Sequence, residues 1–104
     1  MSEAQLLLCT CPDEIGAARI ACALVEERLA ACVNRIAGVV SVYRWHGEIQ
    51  EESETLLLIK TTREKLEALQ ARVLALHPGE TPELIALDIP RGHPAYLQWL
   101  SEQV

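Results

Sequence analysis

The chain has 104 residues, a length that accommodates one domain spanning residues 1–104. Half of the residues are apolar, with two Trp, two Tyr and no Phe, so Leu, Val, Ile and Ala must build the core. The formal net charge of −6 argues against nucleic-acid and anionic-membrane partners, which require basic patches. No apolar run approaches the ~18–20 residues of a membrane span, and no basic region precedes an apolar N-terminal stretch. We therefore expect a cytoplasmic protein.

The first predicted element is a strand from Gln5 to Cys11, in which alternation puts Cys9 and Cys11 on the same side. In a cytoplasmic protein these two thiols, like those of Cys22 and Cys32, are expected to be reduced. The four cysteines lack the paired CxxC spacing of a structural zinc site. Cys22 and Cys32 are interpreted as filler of the core or of an interface.

A helix is predicted to follow, because Pro12 stops the strand and Asp13 is a suitable N-cap. Apolar residues spaced three and four apart predict the face of this helix that meets the core. They are Ile15, Ala18, Cys22, Val25 and Leu29.

The segment from Ala30 to Thr62 predicts one very long β-hairpin folded about His46-Gly47. Glycine at the second turn position suits a two-residue turn with positive φ. Arms of about a dozen residues exceed the usual ~5–6, and a chain this short cannot cover such a ribbon with its own residues. We expect another copy of the chain to cover it.

The pattern Thr61-x-x-Glu64 resembles a capping box and predicts the start of a second helix. The apolar seam of that helix consists of Leu66, Leu69, Val73 and Leu76. His77-Pro78-Gly79 is predicted to end the helix. A short strand over residues 84–89 and a closing helix over residues 93–103 complete the chain.

The resulting order of elements is βαββαβ with an additional C-terminal helix. Strands that alternate with helices around one central hairpin predict a four-stranded antiparallel sheet backed by two helices. The fold class is therefore α+β, and the arrangement is a ferredoxin-like sandwich.

Six short groups of residues, distributed along nearly the whole chain, occur in a specific order. They are Leu8-Cys9-Thr10, Leu29-Ala30-Ala31-Cys32-Val33-Asn34, Ser41-x-Tyr43-x-Trp45-x-Gly47-x-Ile49, Glu54 with Leu58-x-Lys60-Thr61-Thr62, His77-Pro78 with Thr81-Pro82-Glu83, and Tyr96-Leu97-x-Trp99-Leu100. In this succession the sequence resembles the CutA proteins, the divalent-cation tolerance family. The resemblance implies a ferredoxin-like subunit in a homotrimer similar to the PII signalling proteins. It also implies a role in tolerance of copper or another divalent metal, with no cofactor required for folding.

One type of copper site in the family uses a first-strand cysteine and a pair of histidines, which the resemblance carries over to Cys9 and His77. Leu76 stands where some members have the other histidine, and Gly79 stands where members usually carry Tyr. Two donors can hold Cu(I), whereas Zn²⁺ takes about four. The residues alone leave other interpretations open. Cys9 and Cys11 suit an apolar core, and His77 suits a helix C-terminus.

A second candidate site lies on the hairpin. Tyr43 and Trp45 share a strand face, Lys60 follows four apolar residues, and Glu54 can neutralise a cation nearby. These residues are typical of a small-ligand cleft between subunits. The alternative interpretation is structural, with the aromatic residues as interface anchors and Glu54–Lys60 as an ion pair.

Motifs for catalysis do not occur in the sequence. There is no nucleophile elbow, no G-x-x-x-x-G-K phosphate loop and no HExxH, so we do not expect an enzyme. The function that the resemblance implies is metal-ion tolerance by a trimeric metal-binding protein. The alternatives are a PII-like sensor that holds a small anionic metabolite in the cleft between subunits, and a trimer that serves as a docking platform.

Overall fold

The computed structural model describes residues 3–104, and its elements follow the predicted order. They are β1 (Ala4–Cys11), α1 (Glu14–Glu26), β2 (Cys32–Trp45), β3 (Glu48–Thr62), a 3₁₀ turn (Arg63–Lys65), α2 (Leu66–Leu76), β4 (Leu84–Asp88) and α3 (Pro94–Glu102). All pairings are antiparallel, and the strand order in the sheet is β2-β3-β1-β4. The α+β fold with a long central hairpin and a C-terminal helix is confirmed.

Strands β2 and β3 form the predicted hairpin, with arms of 14 and 15 residues. The turn is at His46-Gly47, where both residues have positive φ, 49° and 80°. Such a turn matches the twist of the two strands and favours glycine at its second position. The pairing shifts between Ile36 and Val39, where Gly38 at φ 76° forms a bulge. The hairpin accounts for the elongated shape of the subunit, 44 × 25 × 22 Å.

One face of the sheet carries the core. Every second residue of β1, and of β3 from Thr55 onward, is buried on this side, and both α1 and α2 pack on it. These residues include Leu7, Cys9, Leu57 and Ile59. Helix α2 contributes the predicted apolar seam, with its central Leu69 and Val73 fully buried. The core lies between this face and the two helices.

The predicted inner face of α1 is wrong. Ile15 is 85% exposed, and Cys22 and Val25 are also exposed. The residues that α1 turns toward the sheet are instead Ala17, Ile20, Ala21 and Leu24. The helix is rich in Ala and has two adjacent stripes with the same spacing. Ala17 and Ala21 have small side chains, so the stripe that contains them lets the helix backbone approach the sheet closely. Close packing therefore favours this stripe over the other one.

The predicted N-cap of α1 is confirmed, whereas the predicted capping box at Thr61 is wrong. Asp13 accepts a hydrogen bond from the backbone N–H of Gly16 at 2.7 Å. Thr61 still belongs to β3, and its hydroxyl donates to the carbonyl oxygen of Leu29 at 2.6 Å. A 3₁₀ turn intervenes before α2, so the helix begins at Leu66.

The opposite side of the sheet is only partly covered. Its strands carry apolar side chains that are half-buried or exposed in the single chain, and we call this surface the open face. It consists of Leu6, Leu8, Ile36, Leu56, Leu58, Ile85 and Leu87. Helix α3 approaches the sheet at one end, where Leu97 and Leu100 line one cavity together with Ala4 and Thr62. An apolar surface of this kind on a small subunit is typical of an interface.

Candidate metal centre

The end of β1 and the end of α2 meet in the fold. His77 directly follows α2, and its Nε2 lies 2.7 Å from the carbonyl oxygen of Thr10 near the end of β1. Strand β1 runs antiparallel to β3 in the centre of the sheet, and α2 packs on the side that carries Cys9. The two candidate metal ligands therefore come from elements that meet at one edge of the core.

Cys9, Cys11 and His77 bring their ligand atoms together, all within 4.8 Å of one another. Two donors that bind one ion at ~2.3 Å lie at most ~4.6 Å apart, so the cluster is close to the dimensions of a metal site. Both cysteines are fully buried, and His77 is half-buried. Cys11 was not among the metal ligands predicted from the sequence. The signal was its position two residues after Cys9 on the same strand face.

Both nitrogens of the His77 ring are hydrogen-bonded to the backbone. The N–H of Gly79 donates to Nδ1 at 2.9 Å, so the ring proton is on Nε2, which donates to Thr10. Gly79 makes this close approach feasible, because a Cβ at that position would lie 3.0 Å from both Nδ1 and Cε1 of His77. The Gly79 that departs from the family pattern thus closes the loop onto the ring.

Cys9 and Cys11 each change the pKa of the other thiol. The interaction with Cys11 raises the pKa of Cys9, and burial and the negative charges of Glu83 and Glu54 add to the rise. The Cys9 sulfur itself lies 3.9 Å from the carbonyl oxygen of Thr10. The interaction with Cys9 lowers the pKa of Cys11, against the effect of burial. Of the two thiols, Cys11 is therefore the one that loses its proton more readily. Two thiol sulfurs and an imidazole form a soft donor set that fits Cu(I) and does not fit hard cations such as Mg²⁺ or Ca²⁺.

The four predicted cleft residues share one face of the hairpin but are far apart in the single chain. Tyr43 lies opposite Gln50 and Trp45 opposite Glu48, on the side of β3 that also carries Glu54 and Lys60. The 12 residue-to-residue steps from Glu48 to Lys60 along β3 span about 40 Å. One pocket lined by all four would require residues from neighbouring copies, and the cleft stays a prediction.

Two of the predicted cleft residues have hydrogen-bond partners within the chain. The ammonium of Lys60 donates to the side-chain oxygen of Asn34, and the hydroxyl of Tyr43 donates to Glu52. Glu54 and Lys60 are six residues apart on the same strand, about 20 Å, so they do not form the ion pair considered from the sequence. Lys60 and Asn34 instead form a polar pair next to the open face.

Comparison with known proteins decides the family. A family model described as CutA1 divalent ion tolerance protein matches residues 5–103. The chain belongs to the CutA1 family. It is 53% identical over 98 residues to the divalent-cation tolerance protein CutA of Thermus thermophilus, with 94% of this chain and 95% of that protein covered. It is 48% identical over 93 residues to mouse Protein CutA, covering 89% of this chain but only 52% of the mouse protein.

Solved CutA structures share the whole fold. The divalent cation tolerance protein of Thermus thermophilus superposes with a TM-score of 0.94 at 52% identity, covering 96% of this chain and 97% of that chain. CutA from Xylella fastidiosa superposes with a TM-score of 0.95 at 45% identity, covering 98% of both chains. The resemblance to the CutA family that the sequence motifs indicated is thus confirmed. Among residues 3–104, no helix is both long and apolar enough to cross a bilayer.

Proposed function

We propose that this CutA1-family chain acts in metal-ion tolerance by binding a soft metal ion, copper as Cu(I), and that it does not catalyse a reaction. The observation that carries the proposal is the cluster of Cys9, Cys11 and His77, with ligand atoms within 4.8 Å of one another. Thiolates select Cu(I) among the common metals, and the deep burial of the two sulfurs would shield a bound ion from competing ligands.

The proposal includes a reducing compartment such as the cytoplasm. Thiols must be free to bind metal, and the four cysteines of the chain are all free. The bound metal would supply neither folding energy nor a reaction centre. An apolar core of Leu, Ile, Val and Ala already surrounds the cluster, so we expect the metal-free chain to fold.

The proposal also includes assembly into a homotrimer. The open face supports it, because a single chain leaves leucines and isoleucines of all four strands exposed or half-buried. The hairpin adds Val40, Val42 and Ile49, which are also exposed in the single chain. Burial of apolar surface contributes roughly 25 cal/mol per Å², so covering these side chains with other copies would stabilise the assembly strongly.

A competition titration tests the metal proposal. The reduced protein competes for Cu(I) with a chelator of known affinity, as the wild type, as Cys9→Ser and as the control Cys22→Ser. The control removes an exposed thiol on the outer side of α1. We expect wild type and Cys22→Ser to take up copper equally and Cys9→Ser to lose most of the uptake. Equal uptake by Cys9→Ser and wild type would contradict the proposal.

A further inference from the structure

Cys11 is the residue of the cluster that the known motifs leave without a role. It is fully buried at the end of β1, opposite Thr55 of β3, and its sulfur lies within 4.8 Å of the sulfur of Cys9. Both sulfurs lie on the helix side of the sheet, at positions two residues apart on one strand. A strand is a rigid support for such a pair, because the pleat fixes the direction of both Cβ atoms.

His77 is less free to bind a metal than the two cysteines. Each of its ring nitrogens is committed to the backbone, Nε2 to Thr10 at 2.7 Å and Nδ1 to Gly79 at 2.9 Å. Metal ligation through either nitrogen would break one of these bonds and leave a backbone group of Thr10 or Gly79 without its partner. The bond from Nε2 to Thr10 is part-buried, so its loss is unfavourable and holds this nitrogen back from an ion, whereas the bond from Gly79 to Nδ1 lies at the surface.

We infer that the metal ligands of this chain are the two thiolates of Cys9 and Cys11, which form a two-coordinate site for a monovalent soft cation, with His77 as an outer group. This inference rests on the proposed function and assigns its ligands and its ion class. Thiolate pairs suit Cu(I), which is satisfied by few ligands, whereas Zn²⁺ is nearly always bound by four. The two sulfurs are fully buried, and His77 is the one further donor that lies close to them among residues 3–104.

The role of His77 in this site is to hold the end of β1. Through Thr10, which lies between the two cysteines, its ring fixes the backbone that carries both sulfurs. Outer groups of this kind typically change metal affinity by about 10–100-fold when they are removed. His77 is therefore a positioning residue, and it keeps its Nε2–H form when the site is loaded.

The test compares Cu(I) and Zn²⁺ binding by the reduced full-length protein and its variants Cys11→Ser, His77→Gln and Cys22→Ser. We expect Cys11→Ser to lose tight Cu(I) binding, His77→Gln to weaken it about tenfold, and Cys22→Ser to match the wild type. The wild type should not bind Zn²⁺ at the concentrations that saturate it with Cu(I). Cys11→Ala, checked by circular dichroism, serves as a second variant if Cys11→Ser does not fold.

X-ray absorption at the copper edge of the loaded wild type needs no substitution. Two sulfur neighbours without nitrogen support the inference, and a nitrogen neighbour overturns it. Full Cu(I) binding by Cys11→Ser, or loss of binding by His77→Gln as severe as by Cys11→Ser, overturns it as well while leaving the proposed function in place. If the reduced wild type binds no Cu(I), the proposed function and the inference both fail.

Discussion

The hydroxyl of Thr61 donates to the carbonyl oxygen of Leu29 at 2.6 Å, which joins the end of the hairpin to the segment that follows α1. Thr61 is fully buried. Thr61→Val keeps the shape of the side chain but leaves this carbonyl without its donor. We expect a loss of about 1–2 kcal/mol in the free energy of unfolding, measured by urea denaturation at one protein concentration.

The exposed Thr81 provides the matched control. Thr81→Val makes the same chemical change at the surface and should alter the stability by less than about 0.5 kcal/mol. If the two variants unfold at the same urea concentration, the bond between Thr61 and Leu29 does not contribute to stability.

The turn of the hairpin allows two substitutions of opposite effect. Gly47→Ala puts a Cβ at φ 80° and should cost about 1 kcal/mol, since left-handed backbone is unfavourable for residues with a side chain. His46→Asn, at φ 49°, should raise stability by a few tenths of a kcal/mol, because Asn-Gly is the preferred pair for this turn. Thermal unfolding measures both. A lower melting temperature for His46→Asn would show that the His46 ring, which packs edge-on against Trp45, matters more than the turn.

The pKa of Tyr43 is raised above its ordinary value by the hydrogen bond that it donates to Glu52. The unfolded chain therefore releases this proton at lower pH than the folded chain, and stability must fall as the pH rises above about 10. Spectrophotometric titration near 295 nm should show late ionisation of Tyr43. Glu52→Gln should move it toward the ordinary value, and an unchanged titration would contradict the assignment.

Assembly is tested on the open face. Leu58 lies near the centre of this face, opposite Leu8 on one side and Asn34 on the other. Leu58→Glu should give a smaller species in light scattering, because the carboxylate would have to be buried between copies. The control is Leu74→Glu, at an exposed leucine on α2, which should keep the mass of the wild type. A wild type that is a stable folded monomer when dilute would refute the trimer.

The order of elements and the hairpin could be predicted from the sequence, because strand alternation, the Gly47 turn and the stop at His77-Pro78 are local signals. The inner face of α1 could not be predicted. Its two candidate stripes have the same period, and only contact with the sheet distinguishes Ala17 and Ala21 from Ala18 and Cys22. Tertiary packing in this case overrides a pattern that is locally ambiguous.

Two of the three residues of the metal cluster could be predicted from the sequence. Cys9 and His77 came from the resemblance, but nothing in the spacing of 68 residues between them states that they meet. That contact results from the placement of α2 on the sheet. The hydrogen bonds at both nitrogens of the His77 ring involve Thr10 and Gly79, and the second depends on the loop that brings Gly79 close to the ring. The register of the hairpin determines how far apart the four predicted cleft residues lie, and sequence patterns fix this register only weakly. These residues are Tyr43, Trp45, Glu54 and Lys60.

The bulge after Ile36 has a consequence for newly made chains. Strand β2 is an edge of the sheet within residues 3–104, and a long edge is a template for open-ended aggregation. The break in pairing at Gly38 interrupts that template, and the neighbouring arm carries four glutamates between this break and the turn: Glu48, Glu51, Glu52 and Glu54. Like charges along this arm disfavour the pairing of two such edges, and the hairpin is thereby protected from open-ended strand addition.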